Sequence, residues 1–137
     1  QQTEPFLSVL FTLSSHQPYS VPNAEQSLFP EQPEHLILKS VTYTDSSLKD
    51  FFEKAQKQPW FENTVFVLLA DHTGPVVFHR QEAPLISYRI PILFYHPKIL
   101  EWPTEIDRDQ MAQQIDLPAS LFDLLGFENE KVTPLSR

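Results

Sequence analysis

Asp71 and His72 stand side by side and follow directly on an apolar run, Thr64–Ala70 (TVFVLLA). A carboxylate and an imidazole at the end of a buried strand are held by a rigid backbone. Both are hard-to-borderline ligands suited to Zn²⁺, Mn²⁺ or Mg²⁺, with imidazole the poorer match for Mg²⁺. Two ligands do not complete a coordination shell, so the others must come from elsewhere. The competing reading makes Asp71 a turn cap and His72 a partly buried polar residue. His16 follows Thr12, Ser14 and Ser15 at the end of another apolar run. A histidine there is suited to binding a phosphoryl or sulfuryl oxygen, or to giving a proton to a leaving group. The alternative is a loop histidine bonded to backbone. A Ser15–His16 catalytic pair is disfavoured, because adjacent residues rarely align nucleophile and base, and no G-x-S-x-G is present. His79 lies in a loop that could fold back over a site. Arg89 precedes a third apolar run and could pair with an anionic substrate, or be a surface residue. His96 before Pro97 reads as structural, and His35 as a solvent-facing residue opening a helix.

The elements that must position these groups are legible from periodicity. Phe6–Leu13 (FLSVLFTL), Thr64–Ala70 and Ile90–Tyr95 (IPILFY) are strand-length runs rich in β-branched and aromatic residues. The second is apolar on both faces, which predicts a central strand covered on both sides. Pro91 places the start of the third strand near itself, or the strand at an edge. Between the first two runs, Ile37, Val41, Thr44, Leu48, Phe51, Phe52 and Ala55 recur at three- and four-residue steps. This spacing predicts one amphipathic helix over about 34–58, stopped by Pro59. A second helix is predicted over 117–125, with Asp116 as N-cap, Pro118 in the first turn and Gly126 just past the end. Buried strands alternating with amphipathic helices imply an α/β layered fold with a largely parallel sheet. Ligands in such folds bind beyond the carboxyl ends of the strands. The three strands run out into His16, into Asp71-His72 and into His96, so three of the five histidines fall where a site would be built.

Composition excludes several classes of function. With 2 glycines in 137 residues, no Gly-rich phosphate cradle is present, neither G-x-G-x-x-G nor a Walker A loop. Handling of phosphate must therefore rest on side chains or a metal. A net charge of −8 offers no basic stripe for a nucleic acid and disfavours docking on anionic lipid. The absence of cysteine removes disulfides, thiolate metal sites and a cysteine nucleophile from this chain. No apolar run reaches the ~18 residues of a membrane span.

Four segments together resemble one known family. Pro5–Pro22 (PFLSVLFTLSSHQPYSVP) is similar to the strand-and-loop segment of lipoteichoic acid synthases and related sulfatase-like proteins. Ser40–Gly74 (SVTYTDSSLKDFFEKAQKQPWFENTVFVLLADHTG) resembles that family's long helix, Pro-Trp turn and metal-ligand strand. Tyr88–Pro97 (YRIPILFYHP) and Gln113–Phe127 (QQIDLPASLFDLLGF) match the two segments that follow, in the same order.

The resemblance covers Pro5 to Phe127. It implies a three-layer αβα sandwich of the alkaline-phosphatase-like type, with a mostly parallel or mixed sheet. Residues 1–137 would be the C-terminal portion of one sulfatase-like catalytic domain. It implies a metal-dependent phosphoester or sulfoester hydrolase or transferase that carries one divalent ion (Mn, Mg, Zn or Ca), with Asp71 and His72 as ligands. His16 matches the family's histidine in T-L-S-x-H-x-P, which contacts the substrate's phosphoglycerol group. His79 has no family counterpart. The family's nucleophile, a threonine or a formylglycine, belongs to a part of the domain upstream of this sequence, with a further acidic ligand. Thr12, Thr42, Thr44 and Thr73 do not match its motif, so the fragment alone is expected to be inactive. The expected partners are the upstream half of the same domain and a phosphate- or sulfate-ester substrate, a glycolipid or a polymer. The expected location is extracytoplasmic, behind a membrane anchor in an N-terminal region this sequence lacks. The contrasting expectation is a sulfatase-like module that has lost its chemistry and binds lipid or regulates.

Overall fold

The computed structural model of the chain describes residues 5–22, 33–74, 88–98 and 111–127. They fall in two compact units, Gln1–Glu101 and Trp102–Arg137. The first holds a long helix, α1 (Pro33–Ala55), a 3-10 turn (Phe61–Asn63) and two strands, β1 (Phe66–Leu69) and β2 (Ile92–Tyr95). Proline at the first position of α1 costs no hydrogen bond, because that N–H would be unpaired anyway. The helix ends at Ala55, three residues before the expected Gln58. Pro59 lacks an N–H and its ring crowds the carbonyl four residues back. The chain tightens ahead of it: the N–H groups of Lys57 and Gln58 donate to the carbonyls of Lys54 and Ala55, at 3.2 and 2.9 Å.

Strands β1 and β2 pair antiparallel, with Phe66 opposite Tyr95 and Leu69 opposite Ile92. The expectation of a largely parallel arrangement therefore does not hold for this pair, which is the antiparallel kind of neighbour a mixed sheet contains. The β2 strand begins directly after Pro91, as expected, since proline cannot donate to a ladder. Residues 5–13 make no ladder among the described residues. Leu7, Val9 and Leu10 are about as open to solvent as in an unfolded chain, at 84–85% exposure. The run has the composition of a strand, but a strand exists only where its N–H and C=O groups find a partner.

Aromatic rings form the centre of this unit. Phe66 lies against Phe51, Phe52, Phe61, Trp60 and Tyr95, with ring centroids 5.1–6.3 Å apart. Phe61 and Ala55 are buried at the junction of helix and turn. The helical stripe is only partly covered: Val41, Leu48 and Phe51 remain exposed. The reason is length. Twenty-three helical residues span about 34 Å, whereas a four-residue strand spans about 13 Å. The fully buried helical side chain is Ser40, missed by hydrophobic periodicity. Its hydroxyl donates to the Ile37 carbonyl at 2.8 Å, so its burial leaves no polar group unpaired.

The second unit carries a 3-10 turn (Gln114–Asp116) running into α2 (Leu117–Leu124). Asp116 stands at the expected N-cap position of α2 but makes no side-chain cap bond to it; its carboxylate turns back to accept the N–H of Gln113, the N-cap of the 3-10 turn, at 2.8 Å. The expected stop at Gly126 is present in full. Gly126 takes φ +73°, its N–H donates to the Asp123 carbonyl, and the Phe127 N–H reaches back to Phe122 at 2.9 Å. The Phe122 and Phe127 rings then meet edge to face at 5.6 Å, the apolar contact that completes a Schellman stop. A Cβ at Gly126 would meet nothing within 4 Å, so any substitution cost there is conformational. Gly126→Ala is expected to lose about 1 kcal/mol, seen as roughly fivefold faster amide exchange along α2. Gly126→Asn, which tolerates this backbone, should lose less. No helix among the described residues is long and apolar enough to cross a membrane.

Candidate metal and anion site

Strand β1 hands the chain directly to Asp71 and His72, and the turn that follows fixes both side chains. The Oδ1 of Asp71 accepts the His72 backbone N–H at 2.9 Å. The His72 ring places Nδ1 2.8 Å from the Thr73 carbonyl. A carbonyl can only accept, so Nδ1 carries the proton and Nε2 keeps the lone pair. Metal-ligating histidines are held in the same way, through a backbone carbonyl on the other ring nitrogen. Asp71 Oδ2 and His72 Nε2 then stand 3.5 Å apart. Two ligands on one small divalent cation, each at about 2.0–2.2 Å and 90–109° apart, stand about 2.8–3.6 Å from each other. The pair therefore fits two corners of such a shell with almost no movement. The side chains are 55% and 75% exposed. Among the described residues no group of three or more His, Cys, Asp or Glu could hold an ion. The donor set fits a divalent metal but supplies half of a shell.

The direction of the ladder sorts the other candidates. In an antiparallel pair the end of one strand lies beside the start of the other. Leu69 faces Ile92, so Arg89 and Ile90 enter β2 at the end of the sheet where Asp71 and His72 leave β1. Arg89 is exposed there. His96 follows Tyr95, which faces Phe66, and so lies at the opposite end. The expectation that three histidines share the carboxyl end of the sheet fails for His96, because it assumed parallel strands. The His96 ring points to the same conclusion: its Nδ1 accepts the Lys98 N–H at 3.0 Å, bracing the turn after β2. That is the structural role its sequence suggested.

His16 sits in a tight turn of the same unit. Its N–H donates to the Leu13 carbonyl at 3.0 Å and its carbonyl accepts from Tyr19 at 2.7 Å. Tyr19 holds φ +60°, a left-handed conformation that costs a non-glycine residue about 1–2 kcal/mol. The His16 ring repeats the arrangement at His72, with Nδ1 2.8 Å from the next residue's carbonyl, that of Gln17. Its Nε2 is therefore the ring nitrogen left open to other contacts, and the residue is exposed. His79 and the side chain of His35 lie outside the described residues. Sequence reasoning could not find the Thr73 and Gln17 carbonyls, because a backbone group carries no residue signal. It also passed over the Ser15–Thr44 contact, for which periodicity gives no hint.

A crystal structure of a protein in the alkaline phosphatase superfamily from Vibrio parahaemolyticus superposes on the chain with a TM-score of 0.70 and 33% identity, covering 91% of this chain and 29% of that one. The α/β class expected from the sequence is thereby found, in partial form. The sulfatase family model matches residues 1–127, and the chain belongs to the sulfatase family. It is also 26% identical over 144 residues to the lipoteichoic acid synthase-like YvgJ of Bacillus subtilis (strain 168), covering 93% of this chain and 23% of YvgJ. The chain thus spans less than a third of the length of either relative.

Proposed function

We propose that the complete protein is a metal-dependent phosphoester or sulfoester hydrolase or transferase, in which this segment supplies part of the metal shell and of the anion pocket. The observation that carries the reading is the Asp71–His72 pair, with two oxygen and nitrogen donors 3.5 Å apart and the imidazole tautomer set by the Thr73 carbonyl. Asp71 Oδ2 and His72 Nε2 would hold one divalent ion (Mn, Mg, Zn or Ca); imidazole favours the less hard of these. The chemistry such an ion would supply is neutralisation of charge on the transferred group and a lower pKa for the nucleophile. The nucleophile and a further acidic ligand belong to the upstream half of the same domain, the first partner this reading requires.

The chain's own residues then do three things. Asp71 and His72 keep their donor atoms aimed without help from substrate, because both are fixed by backbone of their own turn. Arg89, at the same end of the sheet, binds an oxygen of the anionic ester. His16 contacts the ester through Nε2. With Nδ1–H committed to the Gln17 carbonyl, its protonated form donates from Nε2 to the departing oxygen, and its neutral form takes a proton back from the incoming water or alcohol. The substrate class is a phosphate or sulfate ester, on a glycolipid or polymer by analogy with the lipoteichoic acid synthase-like YvgJ, and the same analogy supports an extracytoplasmic, membrane-anchored setting.

The test uses the full-length protein with p-nitrophenyl phosphate and p-nitrophenyl sulfate. Chelation is expected to abolish turnover of whichever ester is accepted, and one of Mn²⁺, Zn²⁺, Mg²⁺ or Ca²⁺ to restore it. Turnover that survives complete removal of metal sinks the reading.

A further inference from the structure

Among the described residues, the segment that carries the His16 turn meets the rest of its unit through Phe6 and Ser15. Phe6 packs edge to face on Trp60, with centroids 6.4 Å apart, ten residues before the histidine. The nearer tie is the Ser15 hydroxyl, 3.5 Å from that of Thr44 on α1. The direction of this contact follows from the helix. Thr44 has one hydroxyl proton and donates it to the Ser40 carbonyl at 2.9 Å, a bond well inside the usual range. Its oxygen is left as an acceptor, so Ser15 is the donor. Ser40 in turn is fully buried, with its own hydroxyl on the Ile37 carbonyl. The residue before His16 is thus moored, through Thr44, to the most buried point of α1. The separation of 3.5 Å is longer than an ordinary O–H···O bond, which makes this a loose tie that a small shift closes. The left-handed Tyr19 is an independent sign that the turn is held in one shape, since strain of this kind persists where the surroundings enforce it.

We propose that Thr44 is a positioning residue for the anion-binding histidine: through Ser15 it sets where His16 Nε2 stands. This rests on the reading of His16 as a substrate contact. The helix therefore does more than cover the sheet, since one hydroxyl on its exposed-to-intermediate flank determines how well the pocket is preorganised.

The experiment is a set of variants in the full-length protein, assayed with the p-nitrophenyl ester it accepts. Thr44→Val keeps the β-branched shape and removes the acceptor; Thr44→Ser keeps the hydroxyl. Thr44→Val should raise KM about two- to threefold, less than the worth of one well-formed hydrogen bond, with bound metal unchanged and Thr44→Ser near normal. In a His16→Ala background the same substitution should have no further effect, because a positioning role acts only through its target. Ser15→Ala, on an exposed turn, should reproduce the rise without touching α1. An unchanged KM in both Thr44→Val and Ser15→Ala, or effects that simply multiply with His16→Ala, overturns the proposal while leaving His16 as a substrate contact. A normal KM in His16→Ala alone removes the reading on which it rests, and the proposal with it.

Discussion

Asp71→Ala and His72→Ala in the full-length protein are each expected to strip bound metal and lower kcat/KM by ~10²–10³, the effect of losing several kcal/mol of charge stabilisation at the transferred group. The size of the effect follows from the half-shell. With two donors supplied here, loss of either leaves a cation with one anchor on this side, and the remaining ligands cannot close around it. The two variants should differ in a telling way. His72→Ala removes a side chain that is three-quarters exposed, so its stability should stay within about 0.5 kcal/mol of the parent. Asp71→Ala also deletes the acceptor of the His72 N–H and should cost about 1 kcal/mol more, as loss of a cap does. Asp71→Asn separates the two roles, since the amide oxygen still accepts the N–H while the charge is gone. It should keep the turn and lose the metal. Because a proton and a cation compete for His72 Nε2, metal should leave the parent more readily as pH falls. Metal analysis on purified variants decides the matter: full metal content in both alanine variants means the ion, if any, is held elsewhere.

Which parts of this arrangement were legible in the sequence has a physical explanation. The helix α2 and its stop were readable from Pro118 and Gly126, because a Schellman end is a local structure: both residues and the Phe122–Phe127 contact lie within one short stretch. The start of β2 was readable for the same reason, from Pro91. The direction of β2 against β1 was not, because strand pairing is decided by the whole domain, and that misjudgement carried His96 to the wrong end of the sheet. The run at 5–13 shows the same limit more sharply. Its pattern is that of a strand, yet pairing is a property of two segments. Asp71 and His72 were singled out as candidates by residue type and position after an apolar run. What makes them a matched pair of donors, the two backbone bonds that choose Oδ2 and Nε2, lies in carbonyl and amide groups common to every residue.

Phe66→Ala is the substitution expected to cost the first unit most, about 3 kcal/mol. A buried Phe→Ala change typically costs about 3–5 kcal/mol, and Phe66, half-buried, belongs at the low end of that range. The ring is the one on which Phe51 and Phe52 from α1, Trp60 and Phe61 from the turn, and Tyr95 from β2 all converge. Edge-to-face and tilted aromatic pairs contribute beyond the area they bury, so no single replacement ring partner can compensate. Phe66→Leu, which refills most of the volume, should cost about half as much. Leu69→Ala, three residues along the same strand but 42% exposed, should cost under ~1 kcal/mol. The consequence reaches the site because β1 ends two residues before Asp71: the strand that Phe66 anchors is the support on which both donors stand. Metal release followed against urea should therefore move to lower denaturant in Phe66→Ala and hardly at all in Leu69→Ala, although neither residue is a ligand. Equal shifts in the two variants would mean that the aromatic cluster does not hold β1, and that the site is supported from somewhere else.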